Sequence, residues 1–185
     1  MTRWTTLVFF LALGTAASAS AQAAGSAAAD AGGSAKPAGG SKWLKYNAAT
    51  KTATFALVAG AQGGTGGPFN FNGYTNGSAA LVVPPGTKVV VNFENQDGTP
   101  HSAEVIAGDG PLPTIGGDAA IPAAYTREVT QGLAQGQKDV MRFTAPASGS
   151  YRVICGVPGH ALSGMWIWLK IDSAAKAPSF GPTNS

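Results

Sequence analysis

The chain has 185 residues, enough for one domain with a real core. Charged residues make up 11% of it and the formal net charge is +3, with no run of Lys or Arg dense enough to follow a phosphate backbone, which argues against nucleic acid as a partner. One cysteine and two histidines exclude a disulfide framework, a zinc site of four cysteines and one of two cysteines and two histidines.

Residues 1–23 read as an export leader: Arg3, an apolar run from about Leu7 to Leu13, then the small-x-small sites Ala19-Ser20-Ala21 and Ala21-Gln22-Ala23. The run is shorter than the roughly 20 residues a spanning helix needs, although the Ala-rich sequence behind it could extend it into a retained anchor. Either way the domain is expected outside the cytoplasm, in the periplasm or on the outer face of the membrane, with membrane contact only if the leader is kept. Residues 24–41, rich in Ala, Gly and Ser, form a flexible linker. A domain at 42–172 and a C-terminal tail at 173–185 follow.

From Trp43 on, short apolar runs alternate with Gly, Pro and Asn. Strands are predicted at 52–58, 69–74, 79–83, 87–95, 101–107, 138–145, 151–155 and 165–171. "VPPGT" and "ASGSY" are turns. No amphipathic helix stands out, with room for one short helix near 118–135. The pattern predicts an all-β sandwich with a long Gly/Pro-rich insertion, residues 107–137, before the last strands; a loop of that length packs over something or serves function. "MWIWLKI" is apolar on both faces, Ile167 and Leu169 on one and Trp166 and Trp168 on the other, so both need cover. Either the insertion or the chain near Trp43 could supply the second. "GGTGGP" (63–68) lacks the strand and helix of a phosphate loop and reads as a plain loop; Asn76-Gly77-Ser78 fits a glycosylation sequon but reads better as a tight turn.

Chemistry concentrates in "CGVPGHALSGM". Cys155, His160 and Met165 are spaced four intervening residues apart, and the second histidine, His101, lies far upstream beside Pro100. A thiolate, two imidazoles and a thioether are the donors of a blue-copper site: two histidines and a cysteine in a trigonal plane with a weak axial methionine. Cu(I) favours soft sulfur and Cu(II) favours nitrogen, so a mixed set serves both states with little movement. Taken singly, each residue has a plainer role, as a buried thiol, a structural or solvated histidine, or a core methionine. Together they complete one donor set with nothing left over. Two histidines leave none for a second copper centre, and one cysteine cannot bridge two coppers. A cysteine–histidine hydrolase would leave Met165 and the other histidine without a role.

From about Phe69 to Ile171 the chain resembles the cupredoxins, most closely the sulfocyanin and rusticyanin branch. The residues that carry the resemblance are "FNFNGYTNG", "VPPGTKVVVNFEN", "PHSAEV" and "FTAPASGSYRVICGVPGHALSGMW". It implies a Greek-key β-sandwich holding one type 1 copper through His101, Cys155, His160 and Met165, a single-electron carrier and not an enzyme. Tyr151 is placed like a tyrosine corner. Ser102, after the first histidine, is either a group that bonds across to the ligand loop or an ordinary strand serine. The implied partners are redox proteins such as a cytochrome or terminal oxidase, docking transiently near His160. The uncharged loop predicts a relatively high reduction potential, and the nine Asp and Glu leave few groups to protonate in acid. The alternative is a copper carrier or store, which the scarcity of Met and His disfavours.

Overall fold

The computed structural model describes residues 1–2 and 42–183; apart from Met1 and Thr2, the leader and linker lie outside the described residues. Nine strands and no helix are found among the described residues: β1 (Leu44–Asn47), β2 (Thr52–Ala59), β3 (Ala79–Val83), β4 (Lys88–Asn95), β5 (Glu104–Ala107), β6 (Lys138–Thr144), β7 (Gly149–Ile154), β8 (Trp166–Ile171) and β9 (Ser179–Pro182). They form a four-stranded sheet, β1-β2-β4-β6, and a five-stranded sheet, β5-β7-β8-β3-β9. The pairs β2–β4 and β3–β8 are parallel and the rest antiparallel, the crossed connectivity of a Greek-key sandwich.

Alternation builds the core. In β4, Val89, Val91 and Phe93 point inward and are buried, while Lys88 and Asn92 face water. Phe55 and Leu57 of β2 and Met141 of β6 join them from the same sheet. Leu81, Val83, Val153, Ile167 and Leu169 come from the other. Each large side chain so buried contributes about 1.5–3 kcal/mol.

Several expectations need correction. Residues 69–74 are not a strand: Asn72 has φ 56°, Phe71 and Tyr74 exchange backbone hydrogen bonds, and the segment folds into turns. The side chain of Asn72 accepts the Val58 N–H at 3.0 Å and donates to the Ala56 carbonyl at 2.8 Å, so it pairs with β2 in place of a strand partner. The strand expected at 101–107 begins only at Glu104. No helix forms near 118–135. There the backbone is spent sideways on residues 101–105: Leu133 and His101 exchange two hydrogen bonds, Ala120 donates to Val105 at 2.8 Å, and Thr126 donates to Ala103 at 2.8 Å. Groups used that way cannot also bond along a helix. Two short strands, β1 and β9, add to the expected set. The second falls in the expected tail, pairs with β3, and lays Phe180 on Phe55 with ring centroids 4.7 Å apart.

One face of β8 is fully covered and the other only in part, with Trp166 and Trp168 half-buried. Ile167 and Leu169 are fully buried in the main core. Trp166 packs with Leu112 of the insertion against a small second cluster of Ile106, Ile154 and Ala161. Leu112 is the insertion's share of this cluster, while Trp43 packs on the main core. Asn76 and Gly77 have φ of 51° and 67°, the two positive values of a tight hairpin-type turn, and Ser78 N–H closes it on the Thr75 carbonyl at 2.9 Å. The turn abuts both tryptophans; a side chain at Gly77 would strike the Trp166 ring. Residues 63–68 form a plain loop.

Candidate metal centre

The four sequence-predicted residues come from two places. Cys155 directly follows β7, and Met165 directly precedes β8. The two are neighbours because the β7–β8 ladder continues past its last pair, with Cys155 N–H donating to the Met165 carbonyl at 3.1 Å. The eight residues after Gly156 make a knot of turns: His160 N–H donates to Val157, Met165 N–H to His160, and Gly164 N–H to Ala161, each at 3.0 to 3.1 Å. His101 lies between β4 and β5 and is fixed by its double hydrogen bond with Leu133 of the insertion.

Three donor atoms converge. His101 Nδ1 and His160 Nδ1 are 3.2 Å apart, Cys155 Sγ is 3.4 Å from His160 Nδ1 and 3.9 Å from His101 Nδ1. One point about 2 Å from all three lies inside that triangle, the bond length of a first-row metal to nitrogen and slightly under that to sulfur. His101 and Met165 are fully buried, Cys155 is 1% exposed, and His160 alone reaches the surface, at 9%. The donor types and the triangle fit a copper in the trigonal arrangement. Phe69 packs its ring edge-on to His160 with centroids 4.8 Å apart and to His101 at 6.3 Å, which limits the tilt of both imidazoles.

Burial sets the protonation of these groups. It pushes the His101 imidazolium down to about 4, with the neighbouring His160 adding to the shift and Asp97 opposing it. It lowers His160 as well. Both rings are therefore neutral near pH 7, as metal ligands must be. Burial raises the Cys155 thiol, and hydrogen bonds from Ser102 and Val157 pull it back. A cation in the triangle removes the remaining cost of the thiolate.

Ser102 is fully buried and spans three segments. Its N–H points at Cys155 Sγ at 3.4 Å, its hydroxyl donates to the Val129 carbonyl at 2.6 Å, and the same oxygen accepts the Gly156 N–H at 3.0 Å. It does bond across to the ligand loop. The insertion presses on that loop at two more points, with Gly116 N–H on the Gly156 carbonyl at 2.9 Å and Gly159 N–H on the Thr114 carbonyl at 2.7 Å. Ile115, next to Thr114, and Leu162, two residues after His160, are 52% and 56% exposed, apolar side chains left bare on the two segments that meet here. Tyr151 OH reaches back to the Ser148 carbonyl at 3.4 Å, as a tyrosine corner does.

Sequence reasoning missed Phe69, Val129, Ile115 and Asp97. Phe69 opens "FNFNGY", whose alternation reads as a strand. The others touch the site only through folds of the chain that spacing does not encode.

Comparison with known proteins identifies the family. The family model described as the sulfocyanin (SoxE) domain matches residues 39–180. The sulfocyanin of Sulfolobus acidocaldarius is 30% identical over 140 residues, 72% of this chain and 70% of that one. Among solved structures, a rusticyanin variant superposes with a TM-score of 0.50 at 25% identity, covering 75% of this chain and 89% of its own. The dithionite-reduced auracyanin of Roseiflexus castenholzii gives 0.48 at 22% identity, covering 64% and 96%. The chain belongs to the sulfocyanin family of cupredoxins, the blue-copper proteins of electron transport that hold one type 1 copper.

Proposed function

We propose that the protein carries single electrons outside the cytoplasm and transforms no substrate. His101 and His160 would hold the copper through Nδ1 and Cys155 through Sγ, with the buried Met165 supplying a weak thioether donor. The single observation that carries this reading is the buried triangle of two Nδ1 atoms and one Sγ. A copper held there supplies a one-electron couple between Cu(II) and Cu(I). The protein's own residues keep that couple fast. Hydrogen bonds inside the ligand loop and to the insertion hold the donors in place, so all ligands are retained in both states. Burial keeps water from the metal. Phe69 fixes the rings, and Ser102 ties His101's strand to the cysteine loop and to Val129.

The His160 edge, set among the exposed Ile115 and Leu162, offers the route in and out. An apolar, nearly uncharged surface suits brief docking with a redox protein such as a cytochrome or terminal oxidase. Burial of all four donors opposes a carrier that hands its copper over, since exchange needs an open coordination edge. We place the leader at 1–23, cleaved or kept as an anchor, and the linker at 24–41, so that the domain works in the periplasm or on the outer membrane face.

The test is the visible and EPR spectrum of the purified protein after one equivalent of Cu(II). An intense blue charge-transfer band with narrow copper hyperfine splitting, absent in Cys155→Ser, is expected. A pale spectrum of ordinary copper in the wild type would overturn the reading.

A further inference from the structure

His101 is fully buried, and its two ring nitrogens have opposite fortunes. Nδ1 faces the donor triangle. Nε2, on the far edge, is buried and has no hydrogen-bond partner. The carboxylate Oδ1 of Asp97 lies 3.6 Å from it. That gap is too long for a hydrogen bond and too short for an intervening water; closing it by about half an ångström makes a charge-assisted bond.

The carboxylate is held where it stands. Asp97 N–H donates to Asn95 Oδ1 at 2.9 Å, and Thr99 N–H donates to Asp97 Oδ1 at 2.8 Å. Asn95 Nδ2 donates to the carbonyls of Thr99 and Leu133, both at 2.8 Å, and the Leu133 carbonyl also receives the His101 N–H at 3.1 Å. Asn95 through His101 is thus one braced turn with the carboxylate and the imidazole at its two ends. Gly60, with φ 64°, closes the turn from behind, where a Cβ would collide with that of Asp97.

We propose that Asp97 is a positioning residue of the metal centre: its carboxylate takes the Nε2–H of His101, fixes the tautomer that leaves Nδ1 free for the metal, and places a negative charge behind the ligand. The inference rests on His101 being a copper ligand. A carboxylate on the outer nitrogen makes an imidazole a stronger donor, and negative charge favours Cu(II) over Cu(I). Asp97 therefore works against the high potential expected from the uncharged loop. At an effective dielectric constant near 20, a unit charge one imidazole's length from the metal changes the ratio of Cu(II) to Cu(I) affinity by about tenfold or more.

Two variants separate charge from position. Asp97→Asn keeps the shape and the acceptor for Thr99 and loses the charge; Asp97→Ala loses both. In Asp97→Asn the blue spectrum is expected to persist while Cu(II) loses about tenfold in affinity relative to Cu(I), a rise of about 59 mV in potential. Asp172→Asn, at the other end of β8, is expected to leave the potential in place. Nitrogen NMR of the copper-free protein is expected to show His101 protonated on Nε2 in the wild type and in Asp97→Asn, and mixed in Asp97→Ala. An unchanged potential in Asp97→Asn, an Nδ1–H tautomer in the wild type, or an undisturbed tautomer in Asp97→Ala would each overturn the proposal. If Asp97→Ala does not fold, the potential of Asp97→Asn and the wild-type tautomer decide. If the wild type itself gives no blue band, the copper reading falls, and the copper-free tautomer still decides what Asp97 does to His101.

Discussion

Replacing Ser102 by alanine removes one oxygen that serves a buried N–H and a part-buried carbonyl. The Gly156 N–H, at 3.0 Å, loses its acceptor, and the Val129 carbonyl, at 2.6 Å, loses its donor. Ser102 is fully exposed to neither water nor solvent channel, with 0% of its surface accessible, so water does not readily replace the hydroxyl. A typical hydrogen bond contributes about 1 kcal/mol net, and leaving a buried partner unsatisfied costs about 1–3 kcal/mol. With partial relaxation, Ser102→Ala should lose about 2–4 kcal/mol, or about 10 °C in Tm for a domain of this size. The Ser102 N–H that points at Cys155 Sγ is backbone and survives the change. The copper-loaded variant should therefore stay blue while the fold weakens. Urea unfolding of the copper-free protein, followed by tryptophan fluorescence, gives the energy, and the visible spectrum of the loaded protein gives the site. A loss below about 0.5 kcal/mol would refute the bridging role, and a lost blue band would show that the Ser102 hydroxyl, 3.8 Å from Cys155 Sγ, also serves the thiolate.

Other outcomes follow from the same geometry. His101 titrates at about 4 when folded, against an ordinary value of 6.5. Between those values the unfolded chain binds the extra proton, so stability is whole above pH 6.5 and falls as pH drops toward 4, by up to about 3 kcal/mol. Urea titrations of copper-free protein from pH 7 to 4.5 should show that decline; a flat profile would contradict the buried neutral ring. Phe55→Ala empties a fully buried position that also supports Phe180 and should cost about 3–5 kcal/mol by denaturant titration. Leu162→Lys, at an exposed site, should change stability by less than about 0.5 kcal/mol. It should nonetheless slow electron self-exchange between two copies by about tenfold, measured by NMR line broadening, because like charges would then face each other across the apolar surface.

The sandwich was legible where alternation is strong. "TKVVVNFEN" and "MWIWLKI" show their buried faces in the sequence itself, and the corresponding strands appear within a residue of their expected ends. It was illegible where a few residues depend on distant partners. "LKYN" is too short and polar to announce β1, and "SFGP" holds a proline yet forms β9 along β3. "FNFNGY" alternates like a strand, but its two asparagines turn inward and bond backbone, a tertiary effect that local pattern does not carry. At the site, the donor types and their spacing were in plain view because one short loop holds three of them. The groups that orient those donors were not. Asp97, Phe69 and Val129 reach the centre through turns whose geometry only the assembled sheets define.

The order of strands in the second sheet also dictates when this protein can finish folding. β3 sits between β8 and β9, so both of its strand neighbours lie at or beyond Trp166. No strand that pairs with β3 is made before Trp166, and pairings this distant along the chain close slowly. The ligand loop is anchored on β7 and β8, and β8 is itself completed only against β3. The metal pocket is therefore expected to close only once β8 and β9 have paired with β3, and copper binding by the metal-free chain should follow that pairing.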